Sequence, residues 1–354
     1  NRGEGALAQF KIGARTVASN ERPFTIAEAG INHNGDLDRA FKLVRIAKEA
    51  GADAVKFQTY KAEEIVGDNE LTYAYKSQGQ DVTESMLSMF KRCEFTVAQW
   101  HAIKEYCDRI DIMFLSTPSG ESDLELLLEL KVQALKISSD DLVHLPLIRK
   151  FAKTGLPIIA SCGMSNLAEV YRALDTIGTF EGYPTALLVC TSRYPTPAAE
   201  ANLMRIKTLS GAFPGLPIGF SDHTQGPLAA AIASALGACI FEKHFTDNHD
   251  APGPDHWFSD DPTELTQWVT TIQEAKILMG DGIVRPSPAE CSLLPELRRV
   301  IVASDDIKDG EALTDRNIAL KKIRHKQALP ASIFDLMLGT VAKKNYSKGQ
   351  AIEI

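Results

Sequence analysis

Two histidines stand 21 positions apart, His223 in Ile218-Gly219-Phe220-Ser221-Asp222-His223 and His244 in Ile240-Phe241-Glu242-Lys243-His244, each where an apolar run ends. Runs of this kind read as buried strands, so each imidazole leaves its strand at the end and enters the loop layer above. The spacing is that of one strand–helix–strand repeat, which lays two parallel strands side by side. Two imidazoles on neighbouring strand ends can share one divalent metal ion and leave positions open for a substrate. The other use of a histidine there is a hydrogen bond at the strand terminus. The matched positions, with the turn Gly253-Pro254-Asp255 close behind, favour the metal.

Lys56, in Val55-Lys56-Phe57, and Lys136, in Leu135-Lys136-Ile137, lie inside apolar strands. An ammonium buried there without a partner is costly. An anionic substrate, a phosphate or carboxylate of a small metabolite, supplies the partner and suits nearby Ser and Thr donors. The structural alternative pairs each lysine with Glu28, Asp140 or Asp141.

The elements that must position these groups alternate. Short apolar runs at 24–30, 54–60, 112–118, 134–139, 157–163, 186–192, 217–223 and 239–245 read as parallel strands covered on both faces. Helical patterns follow at 36–50, 96–109, 121–130, 165–177, 227–236 and 262–279; in the first, Ala40, Leu43, Val44 and Ala47 form one face. About 250 residues of such repeats match a (β/α)8 TIM barrel. Catalytic groups in that fold come from the C-terminal strand ends and the loops after them. Those ends hold Glu28, Asn32, His33, Lys56, Gln58, Thr117, Lys136, Ser139, Asp141, Ser161, Ser192, Tyr194, Ser221, His223 and His244, with Asp255 just beyond. Residues 61–94 are too long for a bare connection and read as a lid or substrate loop. A catalytic domain over 1–281, a Pro-containing linker at 282–289 and a small β-rich domain over 290–354 complete the organisation.

Hydrophobic residues make up 44%, charged residues 24%, and the formal charge is −8, so neither nucleic acid nor an anionic membrane surface is the expected partner. No apolar run approaches the roughly 20 residues of a membrane span. The six cysteines show no CxxC, and Asn1-Arg2-Gly3-Glu4-Gly5 carries no apolar signal core, which sets the expectation of a reducing, cytoplasmic setting.

Several strings together resemble one family: Ile26-Ala27-Glu28-Ala29-Gly30-Ile31-Asn32-His33-Asn34-Gly35, Val55-Lys56-Phe57-Gln58-Thr59, Leu135-Lys136-Ile137-Ser138-Ser139, Ser161-Cys162-Gly163-Met164, Cys190-Thr191-Ser192-Arg193-Tyr194-Pro195, Ser221-Asp222-His223-Thr224, Lys243-His244-Phe245-Thr246-Asp247 and Pro252-Gly253-Pro254-Asp255. They look like the sialic acid (N-acetylneuraminate) synthases, with a tail resembling that family's antifreeze-like (SAF) domain. The resemblance implies condensation of phosphoenolpyruvate with an N-acylated mannose-type sugar, and release of phosphate. It implies Mn2+ or Mg2+ on His223 and His244, and phosphoenolpyruvate contacts from Lys56, Thr117, Lys136, Ser139, Ser161 and Ser221. It further implies acceptor contacts from Gln58, Asp141, Tyr194 and Asp255, an acid–base role for Glu28, and a domain-swapped homodimer.

Three places depart from the family's pattern. Ser138-Ser139-Asp140-Asp141 stands for Gly-Ser-Gly-Glu or Gly-Ser-Gly-Asp, Ser192 stands for an Asn, and 321–326 replaces an Arg-Pro-Gly segment. Another phosphoenolpyruvate-dependent 2-keto-3-deoxy sugar acid synthase, and a non-catalytic sugar-binding homologue, are the competing readings.

Overall fold

The computed structural model describes residues 9–324 and 327–353; Asn1 to Gly5, and His325 and Lys326 of the altered tail segment, lie outside them. The chain divides into two compact units, one ending at Gly280 and the other starting at Asp281.

The first unit is an eight-stranded parallel barrel, nearly closed. Its strands are β1 (Phe24–Gly30), β2 (Ala54–Thr59), β3 (Met113–Pro118), β4 (Leu135–Ile137), β5 (Ile158–Ser161), β6 (Thr185–Cys190), β7 (Ile218–Asp222) and β8 (Ile240–His244). Each pairs with its sequence neighbour and β8 returns to β1, while β3 and β4 lie side by side at the seam. Helices α1 (Leu37–Glu49), α2 (Val97–Arg109), α3 (Glu121–Glu129), α4 (Leu145–Ala152), α5 (Leu167–Ile177), α6 (Arg205–Ala212), α7 (Leu228–Ala235) and α8 (Pro262–Met279) form the outer layer.

Local chemistry sets these elements. Every residue of β1 is buried, as period-2 packing between interior and helix layer demands. Asp36 caps α1 through the amides of Asp38 and Arg39, and the helix buries Ala40, Leu43, Val44, Ile46 and Ala47. Asp261 and Glu264 close a capping box at α8 with Pro262 in the first turn. The helices α4 and α6 were absent from the sequence-based expectation, because two turns offer too short a window for periodicity to stand out.

Residues 61–94, expected as a long loop, hold structure of their own. A short helix (Ala62–Ile65) leads to an antiparallel hairpin, Thr72–Ser77 against Gln80–Ser85, and then to a helix (Met86–Arg92). The turn residues Gln78 and Gly79 both have positive φ, 51° and 77°, the twist that suits a two-residue hairpin. Ser77 and Gln78 tie this hairpin to the loop after β8, through the Gly253 amide at 3.2 Å and the Asp250 carbonyl at 3.0 Å.

The second unit has its own core of Ile301, Ile307, Leu313, Ile318, Leu329, Tyr346 and Ile352, around the antiparallel pair β9 (Val300–Ala303) and β10 (Ile318–Lys321). A helix, α9 (Pro288–Leu297), precedes them, capped by Ser287; it occupies the end of the expected linker and the start of the expected β-rich domain. Among the described residues no helix is long and apolar enough to cross a membrane.

Candidate active site

A cavity of about 720 Å³ opens at the C-terminal end of the barrel strands. Glu28, Lys56, Gln58, Thr117, Lys136, Ser139, Asp141, Ser161, Ser192, Tyr194, Ser221, His223, His244 and Asp255 all line it. Asn32 and His33, grouped with them as strand-end residues, do not. The Asn32 amide donates to the Phe245 carbonyl and to Ser259, and His33 stacks on Phe95 at 4.1 Å.

The base of the cavity is charged. The Lys56 ammonium lies 2.8 Å from Glu28 and 3.6 Å from Glu242, and donates to Thr117 at 2.9 Å. The structural pairing considered for the lysines therefore holds for Lys56. It fails for Lys136, which donates to Ser161 at 2.7 Å and to the Ile137 carbonyl at 2.9 Å. Among the described residues no carboxylate lies within 4.0 Å of its ammonium. Burial accordingly pulls the Lys136 pKa down, while Glu242 and Glu28 outweigh burial at Lys56 and raise it.

Glu242 was missing from the sequence-based candidates. It sits two residues before His244 on β8, on the same inward face, and accepts a 3.0 Å hydrogen bond from Ser221, its register partner on β7. The available signal was a carboxylate inside an apolar strand at that two-residue spacing. Burial opposes its charge, yet Lys136 and Lys56 hold it below the usual carboxylate range. Glu28 moves the other way: burial raises it and the charge of Glu242 adds to that, against the pull of Lys56. Neighbouring carboxylates pushed apart in this way divide into a proton carrier and a fixed charge.

At the rim the two imidazole rings lie 5.4 Å apart, centroid to centroid. His223 Nδ1 is 2.8 Å from the Thr191 carbonyl. A carbonyl only accepts, so Nδ1 carries a proton, while Nε2 faces the Ser221 hydroxyl at 3.5 Å. Burial lowers the His223 pKa, but Cys190 and the Thr191 carbonyl outweigh it and raise the value. Among the described residues His244 Nδ1 is buried with no hydrogen-bond partner, and an Asp255 carboxylate oxygen is 3.9 Å away. Burial, reinforced by His223 and Lys56, keeps the His244 pKa well below its ordinary value and its ring neutral. Burial and Glu28 push the Asp255 carboxyl up to about 7. An orphaned buried nitrogen, a second ring oriented by a carbonyl and an adjacent carboxylate together fit a divalent cation. Tyr194 covers both rings, at 4.2 Å from His223 and 5.6 Å from His244.

Two glycines make the approach possible. At Gly30, φ is 53° where the β1–β2 register shifts, and a Cβ there would lie 3.4 Å from Glu28 Oε1 and 3.5 Å from His244 Nδ1. At Gly163 a Cβ would lie 2.5 Å from the Ser192 hydroxyl and 2.7 Å from that of Ser139, so any side chain would fill the cradle. Of the residues that depart from the family pattern, Ser138 donates to Asp141 at 3.2 Å, and burial raises the Asp141 pKa.

Residues 43–284 match the NeuB family and residues 298–353 match the SAF domain. Over 334 residues the chain is 38% identical to N,N'-diacetyllegionaminic acid synthase of Campylobacter jejuni, covering 94% of this chain and 99% of that protein. It is 32% identical to the human N-acetylneuraminate-9-phosphate synthase, covering 91% and 89% of the two chains. Among solved structures, the N-acetylneuraminic acid synthetase of Leptospira borgpetersenii matches with a TM-score of 0.71 and 33% identity, over 81% of this chain and 95% of that one.

Proposed function

The chain belongs to the NeuB family, and on that premise we propose that it condenses phosphoenolpyruvate with an open-chain, N-acylated mannose-type sugar, releasing inorganic phosphate and a nonulosonic acid. The observation that carries this reading is Lys136, a buried ammonium with hydroxyl and carbonyl partners but no carboxylate among the described residues, beside Lys56 in a cavity whose rim holds His223 and a His244 Nδ1 that is buried without a hydrogen-bond partner among those residues.

Lys56 and Lys136, with Thr117, Ser139, Ser161 and Ser221, bind the anionic groups of phosphoenolpyruvate and stabilise the departing phosphate. Gln58, Asp141, Ser192, Tyr194 and Asp255 orient the acceptor. His223 Nε2 and His244 Nδ1, with Asp255 beside them, would hold Mn2+ or Mg2+, which supplies Lewis-acid polarisation of the acceptor's aldehyde oxygen. Carbon 3 of phosphoenolpyruvate bonds to the aldehyde carbon, water adds at carbon 2, and the bond from carbon 2 to the phosphate oxygen breaks. Glu28, with its raised pKa, gives a proton to the new alkoxide or takes one from the water. Glu242, kept ionised by two lysines, offers negative charge to the cationic carbon 2.

The same reading includes a homodimer in which residues 290–354 of one copy cover the other's barrel mouth and exclude water from that cationic centre. It includes a reducing, cytoplasmic setting, consistent with six free cysteines of which five are buried. The test is phosphate release from phosphoenolpyruvate with Mn2+, screened over N-acetylmannosamine, its 6-phosphate, 2,4-diacetamido-trideoxy sugars and phosphorylated sugars that carry no N-acyl group. Release with an unphosphorylated sugar supports the proposal. Release with N-acetylmannosamine 6-phosphate alone keeps the reaction and makes the acceptor the phosphorylated sugar. Release only with phosphorylated sugars that carry no N-acyl group points to the related sugar acid synthases, and no release with any acceptor points to a non-catalytic protein.

A further inference from the structure

The alternation along β7 and β8 points two sets of charges in opposite directions. Ser221 and Glu242 are register partners on the cavity side; Asp222 and Lys243, the next register pair, lie on the helix side, where Asp222 meets Trp268 of α8. Lys243 is 3% exposed, Asp222 1% and Asp260 4%. The Lys243 ammonium lies 3.4 Å from Asp222 and 3.7 Å from Asp260, and donates to the Thr224 carbonyl at 2.5 Å.

Two of these contacts end on residues that flank His223, and the third ends on a residue whose main chain is hydrogen-bonded to the His244 end of β8. Asp222 and Thr224 flank His223, and Asp222 Oδ1 accepts from the Thr224 amide at 2.8 Å and its hydroxyl at 2.7 Å. The other oxygen of Asp222 accepts from the Trp268 indole at 3.0 Å. Asp260 donates its amide to the His244 carbonyl at 3.0 Å and accepts from the Thr246 amide at 2.8 Å, so it straddles the end of β8. A buried ion triad adds little to stability, because apolar residues of the same volume commonly do as well. Its position calls for another role.

We propose that Lys243, with Asp222 and Asp260, is a positioning brace that holds the strand ends bearing His223 and His244 at the separation one divalent ion requires. The inference rests on the metal reading of the two histidines. The brace acts through backbone, from outside the barrel, and touches neither substrate nor ion. Groups that orient metal ligands in this way typically change metal affinity by about 10- to 100-fold when removed.

The test measures Mn2+ binding to the full-length protein by the loss of the free-ion electron paramagnetic resonance signal, with thermal unfolding in chelator as the fold control. Lys243→Met and Asp260→Asn should raise the Mn2+ Kd by about 10- to 100-fold. Both should still unfold cooperatively and leave the Kd for phosphoenolpyruvate within about twofold of wild type, and Lys243→Arg should restore most of the Mn2+ affinity. If Lys243→Met fails to fold, Asp260→Asn decides alone, since it replaces the carboxyl by an amide at constant volume. Wild-type Mn2+ affinity in a folded Lys243→Met or Asp260→Asn protein would overturn the brace. Wild-type protein without Mn2+ binding that depends on His223 and His244 would overturn the metal reading on which it rests.

Discussion

Lys136 and Lys56 differ in partners, and that difference predicts different outcomes for the same substitution. In Lys136→Met the chain loses an ammonium that burial disfavours and that no described carboxylate pairs with. Methionine is close in volume and apolar, so relief of the buried ammonium offsets part of the attraction to Glu242 that is lost, and the thermal midpoint should fall much less than in Lys56→Met. The anion loses one side of a buried, hydrogen-bonded charge pair, about 3 kcal/mol, or a rise in the phosphoenolpyruvate Kd of roughly 150-fold. Lys56→Met strands Glu28 and Glu242, both buried, which costs about 3–5 kcal/mol. At roughly 2–4 °C per kcal/mol, that lowers the midpoint by about 6–20 °C. Titration calorimetry with phosphoenolpyruvate and no acceptor, together with scanning calorimetry, reads both effects. If Lys136→Met destabilised the fold as much as Lys56→Met and left the Kd unchanged, the assignment of Lys136 to the anion would be wrong.

Three further outcomes follow from particular contacts. His33 is buried and depressed from 6.5 to about 3, by burial first and then by Arg39 and His256. It is therefore neutral in both states above pH 6.5, and as the pH falls below that value the unfolded chain gains a proton the folded chain refuses. The wild type thus loses about 1.4 kcal/mol per pH unit through this group. His33→Leu should lose about 2 kcal/mol less between pH 7 and pH 5 in urea titrations, and an unchanged loss would mean that the folded protein accommodates the proton. Chelator should abolish phosphate release and Mn2+ restore it, with His244→Ala folded but unable to bind the ion; full turnover in excess chelator would refute the metal assignment. A tail-deleted chain mixed with full-length His244→Ala should regain part of the turnover, since one site of the mixed dimer has both histidines and a donated tail. No rescue, with heterodimers confirmed by native mass spectrometry, would show that the tail does not serve the partner.

The barrel and the residues lining its mouth were legible in the sequence, because strands buried on both faces leave short apolar runs and a polar residue at the end of such a run has one place to go. That logic located His223 and His244 from order along the chain alone, while Lys56 and Lys136 stood out as charges inside such runs. Elements of one or two turns, α4 and α6, and the hairpin at residues 72–85 left no comparable trace, since their stability comes from what they pack on rather than from periodicity. Glu242 and Lys243 show most clearly what the tertiary structure decided. Both are charges inside one apolar strand, one residue apart, and nothing in their order says which is paired with what. The β7–β8 register settles it: Glu242 turns to Ser221 and the lysines of the cavity, and Lys243 turns to Asp222 and Asp260 under the helices. Residue type and spacing determined which chemistry the chain can carry. Strand register and barrel closure, which depend on contacts far apart in sequence, decided which charges meet.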